Sequence, residues 1–218
     1  MNEEAILANA VRTYIETAPV SSLRTSFRCA WINYLPDKIG VVTVTPDGCI
    51  DLVWRGNRFS VVGPDIGPAR PNLQSGGTVV GIRFRPGVAT NWLGLPISEI
   101  VGQEVDMQDV WGGRAIEIAE SLHDAGSAQR QLMELQKQLS GFAPSINSSS
   151  SFGAAMFNFV QKNAVNGARV GTHRLAEVIA SSERSLRRRS QELFGYGPKL
   201  HRILRLQELT VSARMLVP

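Results

Sequence analysis

The feature that most constrains this chain is a change of hydrophobic period near Phe84. Between Leu23 and Phe84 the apolar residues come in short runs: FRCAWINYL, IGVVTV, CIDLVW, RFSVV and TVVGIRF. These runs are rich in β-branched and aromatic side chains, and Pro, Gly, Asp and Asn separate them. That is the pattern of strands joined by tight turns, and it implies a mostly antiparallel sheet or a small barrel. Beyond Phe84 apolar residues recur at helical spacing. GVATNWLG predicts a short helix ending at Gly94, and a second segment opens at Pro96. A third lies near Asp106 to Asp124, and AQRQLMELQKQL forms a fourth. At the front, Leu7, Val11 and Tyr14 fall on one stripe, so Glu3 to Thr17 is expected to be a helix that Pro19 ends.

The expected fold class is therefore α+β, with a strand-rich sheet or small barrel and its packed helices first and an all-helical region after it. The divide falls at GFAPSINSSSS, because four consecutive serines beside Gly, Pro and Asn bury little surface. This gives an N-terminal α/β unit over residues 1–140, a linker over 141–151 and a helical unit over 152–218. In the fourth helix Leu132, Leu135 and Leu139 share a face, which suits either a dimer seam or packing on the chain's own sheet. Two cysteines, Cys29 and Cys49, make no disulfide framework and are expected to be reduced core thiols. No apolar run approaches the roughly 18 residues of a membrane helix, and the acidic start MNEEAILANA is unlike a signal peptide. A cytoplasmic protein with no membrane partner is expected.

Charge is distributed unevenly. Residues 165–218 hold ten Lys/Arg against four acids, while the whole chain nets +4, so the preceding residues carry a net of −2. A basic end on a slightly acidic body suits contact with a polyanion. Within that end, Thr172 is an expected N-cap for a short helix with Leu175, Ala176 and Ile179 on its inner side. A small-residue turn follows, and Ser182 caps a second helix. Two short helices around a tight turn form a helix-turn-helix, whose second helix enters the major groove of double-stranded DNA. Glu183, Arg184, Arg187 and Arg188 occupy its first two turns, with the three arginines on one face. A guanidinium bonds guanine O6 and N7 together, worth ~1–3 kcal/mol of discrimination. Ser182 at the helix start suits a phosphate. Arg189 points elsewhere and is expected to meet phosphate or an acid.

The segment then carries a resemblance. Leu175-Ala176, Ser182, Arg184, Leu186 to Arg189, then Gly195 to Lys199, then Arg202 to Gln207 resemble the AraC-type regulators of bacterial transcription. PDGCIDLVW, GIRFRPG, LGLPISEI and DVWG resemble an uncharacterised N-terminal domain joined to one subgroup of them. The resemblance implies sequence-specific regulation of transcription, with DNA contacts from Ser182, Glu183, Arg184, Arg187, Arg188, Lys199 and Arg205. Two departures stand out. Ala180 and Ser181 replace the family's Gly and apolar residue before the serine, and Ser190 replaces a core Phe. The family also carries two helix-turn-helix units, and this chain stops at Pro218 after one. Weak or non-specific DNA binding is therefore expected unless a homodimer supplies two units.

For the N-terminal unit the expectation is a sensor of a small-molecule effector or a dimerisation module. Asp51, flanked by apolar residues, needs a partner, which Arg83 or Arg85 can supply. Trp31, Asp51, Trp54 and Arg83 are the candidate ligand-binding residues. No nucleotide loop is present, His123, His173 and His201 are scattered, and no histidine lies beside either cysteine. Neither a cofactor, a metal nor an enzymatic activity is expected. The rival reading is a truncated ligand-binding or dimerisation protein whose DNA-binding unit is vestigial.

Overall fold

The computed structural model describes residues 6–7, 14–37, 42–43, 46–68, 75–146, 151–165, 172–178 and 181–197. The fold is α+β, with an antiparallel sheet followed by helices. The sheet holds six strands: β2 (Tyr14–Thr17), β3 (Phe27–Tyr34), β5 (Asp51–Arg55), β6 (Arg58–Val62), β7 (Thr78–Phe84) and β8 (Glu104–Asp106). Their order is β2-β3-β7-β5-β6-β8, and every pairing is antiparallel. Among the described residues the sheet is open, with β2 and β8 at its edges. A separate parallel pair joins β1 (Ile6–Leu7) to β4 (Val42–Thr43).

Alternation along the strands sorts residues between the two faces. Leu52 and Trp54 of β5, Val61 of β6, and Val80, Ile82 and Phe84 of β7 face the helices. Cys29, Trp31, Val53 and Val79 face the other way. On the helix side lie α1 (Ala89–Leu93), α2 (Met107–Trp111), α3 (Gly113–Ala125) and α4 (Ala128–Phe142). Ile118 and Leu122 of α3 join Leu132, Leu135 and Leu139 of α4 in the main core. The leucine face of α4 thus packs within its own unit, and of the two readings of that face the structure takes core packing. Gln136 of α4 is buried and accepts the Val20 N–H at 2.9 Å, which ties α4 to the segment before β3.

Two elements differ from the sequence expectation. The segment read as helix over Glu3 to Thr17 instead contributes β1 and β2. The Leu7, Val11, Tyr14 spacing mimics a helical stripe, but Tyr14–Thr17 gain a full ladder against Ala30–Asn33. Pairing outweighs so short a periodic signal. The segment near Asp106 to Asp124 is two helices, broken at Gly112 (φ 59°, ψ −134°). Asp106 caps the first of them by accepting the Gln108 N–H at 3.0 Å.

Helix α4 runs to Phe142, a 3-10 turn (Ala143–Ser145) follows, and Phe142, Ala143 and Ile146 pack against the main core. The helices beyond are α5 (Ser151–Val165), α6 (Thr172–Val178) and α7 (Glu183–Phe194). They share a second buried cluster of Met156, Leu175, Ala176, Leu186, Phe194 and Tyr196. The helix expected from Pro198 to about Met215 lies outside the described residues. No helix among the described residues is long and apolar enough to cross a membrane.

Candidate nucleic-acid interface and the buried charge centre

Helices α6 and α7 pack through side chains that leave one face of α7 free. In α7 the apolar positions are Leu186, Leu193 and Phe194, and Leu186 and Phe194 are buried with Ser190. This spacing covers one stripe and points it at α6, where Leu175 and Ala176 are buried. The opposite stripe is charged: Arg184, Arg187 and Arg188 are all exposed. Ser182 caps the helix, its hydroxyl accepting the Ser185 N–H at 3.2 Å. In the turn, the Ser181 N–H donates to the Ala176 carbonyl at 2.9 Å and closes the end of α6.

The arginines of α7 are only lightly held. Arg187 donates to Glu183 at 3.2 Å, and Arg188 lies 3.9 Å from Glu192. Both are exposed i, i+4 pairs, worth ~0.3–0.5 kcal/mol, so an incoming phosphate or base edge can displace them. Arg184 has no ion pair among the described residues. Arg189 stands apart from these three, with its guanidinium over the Phe152 ring at 4.7 Å. Among the described residues it has no ion pair with an acid. Lys199 and Arg205 lie outside the described residues.

The far end of α7 is fixed to the sheet unit. Gly195 ends the helix at φ 72°, and a Cβ there would stand 2.5 Å from Val101 Cγ2. Glycine is required twice over, by its backbone conformation and by the close approach. Tyr196, the next residue, is buried and donates its hydroxyl to the Asp65 carbonyl. Burial, with Asp65 and Asp47 nearby, raises the Tyr196 phenol well above its ordinary range. Ser190 stands where a phenylalanine was expected from the resemblance, and its hydroxyl donates to the Tyr196 carbonyl at 2.6 Å. The smaller residue thus binds the turn instead of filling the core. Of these contacts, the Tyr196 bond to Asp65 had no signal in the sequence beyond the glycines flanking the tyrosine.

The four ligand-site candidates of the sheet unit are divided between the faces. Trp31, Asp51 and Arg83 meet on the face away from the helices. Trp54 is on the other face, buried in the main core, because it lies three residues from Asp51 along an alternating strand. Arg83 donates to Asp51 from Nε at 3.0 Å and from Nη2 at 3.1 Å, a two-pronged contact. Trp31 Nε1 donates to the same carboxylate at 3.2 Å. The Trp31 ring lies over Gly81, where a Cβ would be 2.3 Å from it. Asp47 and Glu16 stand 3.7 and 3.9 Å from Arg83. Arg85, the other expected partner, instead donates to the Arg24 carbonyl.

A β-bulge between Phe27 and Cys29 makes this arrangement possible. It turns Phe27 to the core while Cys29 and Trp31 face Arg83. Burial lifts Asp51 above the ordinary carboxylate range against the opposing pull of Arg83. For Arg83 burial works downward, but Asp51 and its neighbours outweigh it and keep the guanidinium charged. Burial also pushes the Cys29 thiol up to about 12 and raises Cys49 well above its usual value. Both cysteines are free, as expected, and neither thiol is activated. Glu16 gives no signal of its own in the sequence, because the spacing of its segment reads as helix. Among the described residues no group of three His, Cys, Asp or Glu is placed to hold a metal ion.

Residues 15–106 match the family described as Domain of unknown function (DUF6597). The match runs from β2 to β8 and so covers the sheet and the charge centre. No curated protein and no solved structure matches the chain.

Proposed function

We propose that this chain is a sequence-specific DNA-binding regulator of transcription, similar to the AraC type, in which α7 lies in the major groove. The sheet unit is its sensor or dimerisation part. The observation that carries this reading is the row of Arg184, Arg187 and Arg188 on the exposed face of a capped helix that α6 holds in place. Guanidinium forks at that position suit guanine edges, and Ser182 at the helix start suits a backbone phosphate. The basic surplus of residues 165–218 supplies the sequence-independent part of the affinity. No covalent chemistry is involved; the work is positioning followed by base reading.

The alternative is a ligand-binding or dimerisation protein whose helix-turn-helix no longer reads DNA. It is favoured by one observation: two of the three arginines already face acids on their own helix. A gel-shift titration of the full chain against salt separates the readings. DNA reading gives affinity that falls steeply as salt rises, and flat binding or none supports the alternative.

A further inference from the structure

The first two turns of α7 hold four cations, Arg184, Arg187, Arg188 and Arg189, and one acid, Glu183. On a helix that approaches a polyanion, that acid is the exception. A carboxylate in the first turn suits the helix dipole. Capping, however, is already done by Ser182, whose hydroxyl accepts the Ser185 N–H at 3.2 Å. Glu183 makes one side-chain contact among the described residues: its Oε2 accepts from Arg187 Nη2 at 3.2 Å. The pair is open to solvent, with the Arg187 and Glu183 side chains 58% and 41% exposed. Among the described residues Glu183 Oε1 accepts no hydrogen bond, and Nε and Nη1 of Arg187 donate none. A free carboxylate acceptor and a guanidinium fork thus stand side by side, one helical turn apart in the chain.

That arrangement has a definite complement in the major groove. Guanine shows only acceptors there, thymine an acceptor and a methyl group, adenine a donor beside an acceptor, and cytosine only a donor. An ionised carboxylate can only accept. It meets lone pairs on guanine, thymine and adenine, and on cytosine it meets the N4 amino group alone. We propose that Glu183 is a specificity-determining residue, which selects cytosine at the base position next to the guanine read by Arg187. The inference rests on the proposed DNA reading and names the sequence which that reading selects. Glu183 also repels phosphate oxygens, so it weakens binding to unrelated sequences, and the bond to cytosine offsets the repulsion only at the right one. The contact with Arg187 orients both groups before binding, which lowers the cost of ordering them.

Selection from random duplexes by the full chain, by Glu183→Gln and by Glu183→Ala tests this, followed by affinities for the selected duplex and a scrambled one. The parent is expected to enrich cytosine beside guanine, and replacing that cytosine should weaken binding ~5–10-fold. A glutamine amide pairs with adenine N6 and N7, so Glu183→Gln should move the preference from cytosine to adenine and keep the guanine. Glu183→Ala should lose the preference at that position alone and bind the scrambled duplex ~2–5-fold more tightly at low salt. Circular dichroism spectra of both variants should match the parent, since the side chain makes only a solvent-open contact. An unchanged motif in both variants, or an equal loss of affinity on every sequence, would make Glu183 a helix-stabilising residue. Either result overturns the inference and leaves the DNA reading standing, as does a parent motif without cytosine beside guanine. No enrichment by the parent at low salt overturns both.

Discussion

Arg83 and Arg187 carry the same guanidinium group in opposite settings. Arg83 is enclosed by Asp51, Asp47 and Glu16, and its two-pronged contact to Asp51 is buried on one face of the sheet. Arg187 stands on the exposed face of α7 with a single loose contact to Glu183. The first group is spent on the fold, since its desolvation is compensated by acids that must stay in place. The second has lost little hydration and keeps its fork available to a partner. Guanidinium groups that look alike in a sequence are thus divided by burial into an enclosed one and an exposed one.

That comparison can be broken or sharpened at several points. The largest effect is expected from Arg83→Ala, which leaves Asp51 buried without its partner and should cost ~3–5 kcal/mol in urea unfolding. Pairing Arg83→Met with Asp51→Leu should recover much of that loss, and failure to recover it would mean that Arg83 does more than hold the fold. A similar energy scale governs the thiols beside it. With Cys29 held at about 12, its thiolate fraction at pH 8 is about 10³-fold below that of an ordinary cysteine. The shift is upward, so reactivity appears only as pH climbs toward 12 or as the chain unfolds. Ellman's reagent should therefore detect almost no fast thiol in native protein and two in urea, and rapid native labelling would show that the face is open.

Smaller effects are expected on α7. Arg187→Ala should remove ~1–3 kcal/mol of discrimination at one base position while moving the unfolding midpoint by less than ~0.5 kcal/mol equivalent. Equal losses on every DNA sequence would make Arg187 a phosphate contact. Ser182→Ala should cost ~1 kcal/mol of helix stability through the lost cap, read by thermal melting, and Ser182→Gly only a few tenths.

Much of the fold was legible in the sequence because the runs that form β3, β5, β6 and β7 are rich in β-branched and aromatic residues and border turn residues. Helix α7 was legible to its ends, since Ser182 and Gly195 mark both caps. Strand β2 was not, because Tyr14 continues the helical spacing of Leu7 and Val11 and the strand's partner lies elsewhere in the chain. The charge centre was half visible. An acid between Ile50 and Leu52 announced the need for a cation, but the choice of Arg83 over Arg85 depends on strand register. The separation of Trp54 from Trp31 likewise follows from face assignment. The bulge at Arg28 reverses that assignment within β3, and nothing local encodes it. The bond from Tyr196 to Asp65 spans two units and is beyond any local pattern.

The most direct test is selection from a pool of random duplexes by the full chain and by its Arg187→Ala variant in parallel. The account predicts that the parent enriches a motif with guanine at one position, and that the variant loses preference at that position while keeping the others. Identical motifs from both proteins, or no enrichment by the parent at low salt, would contradict it.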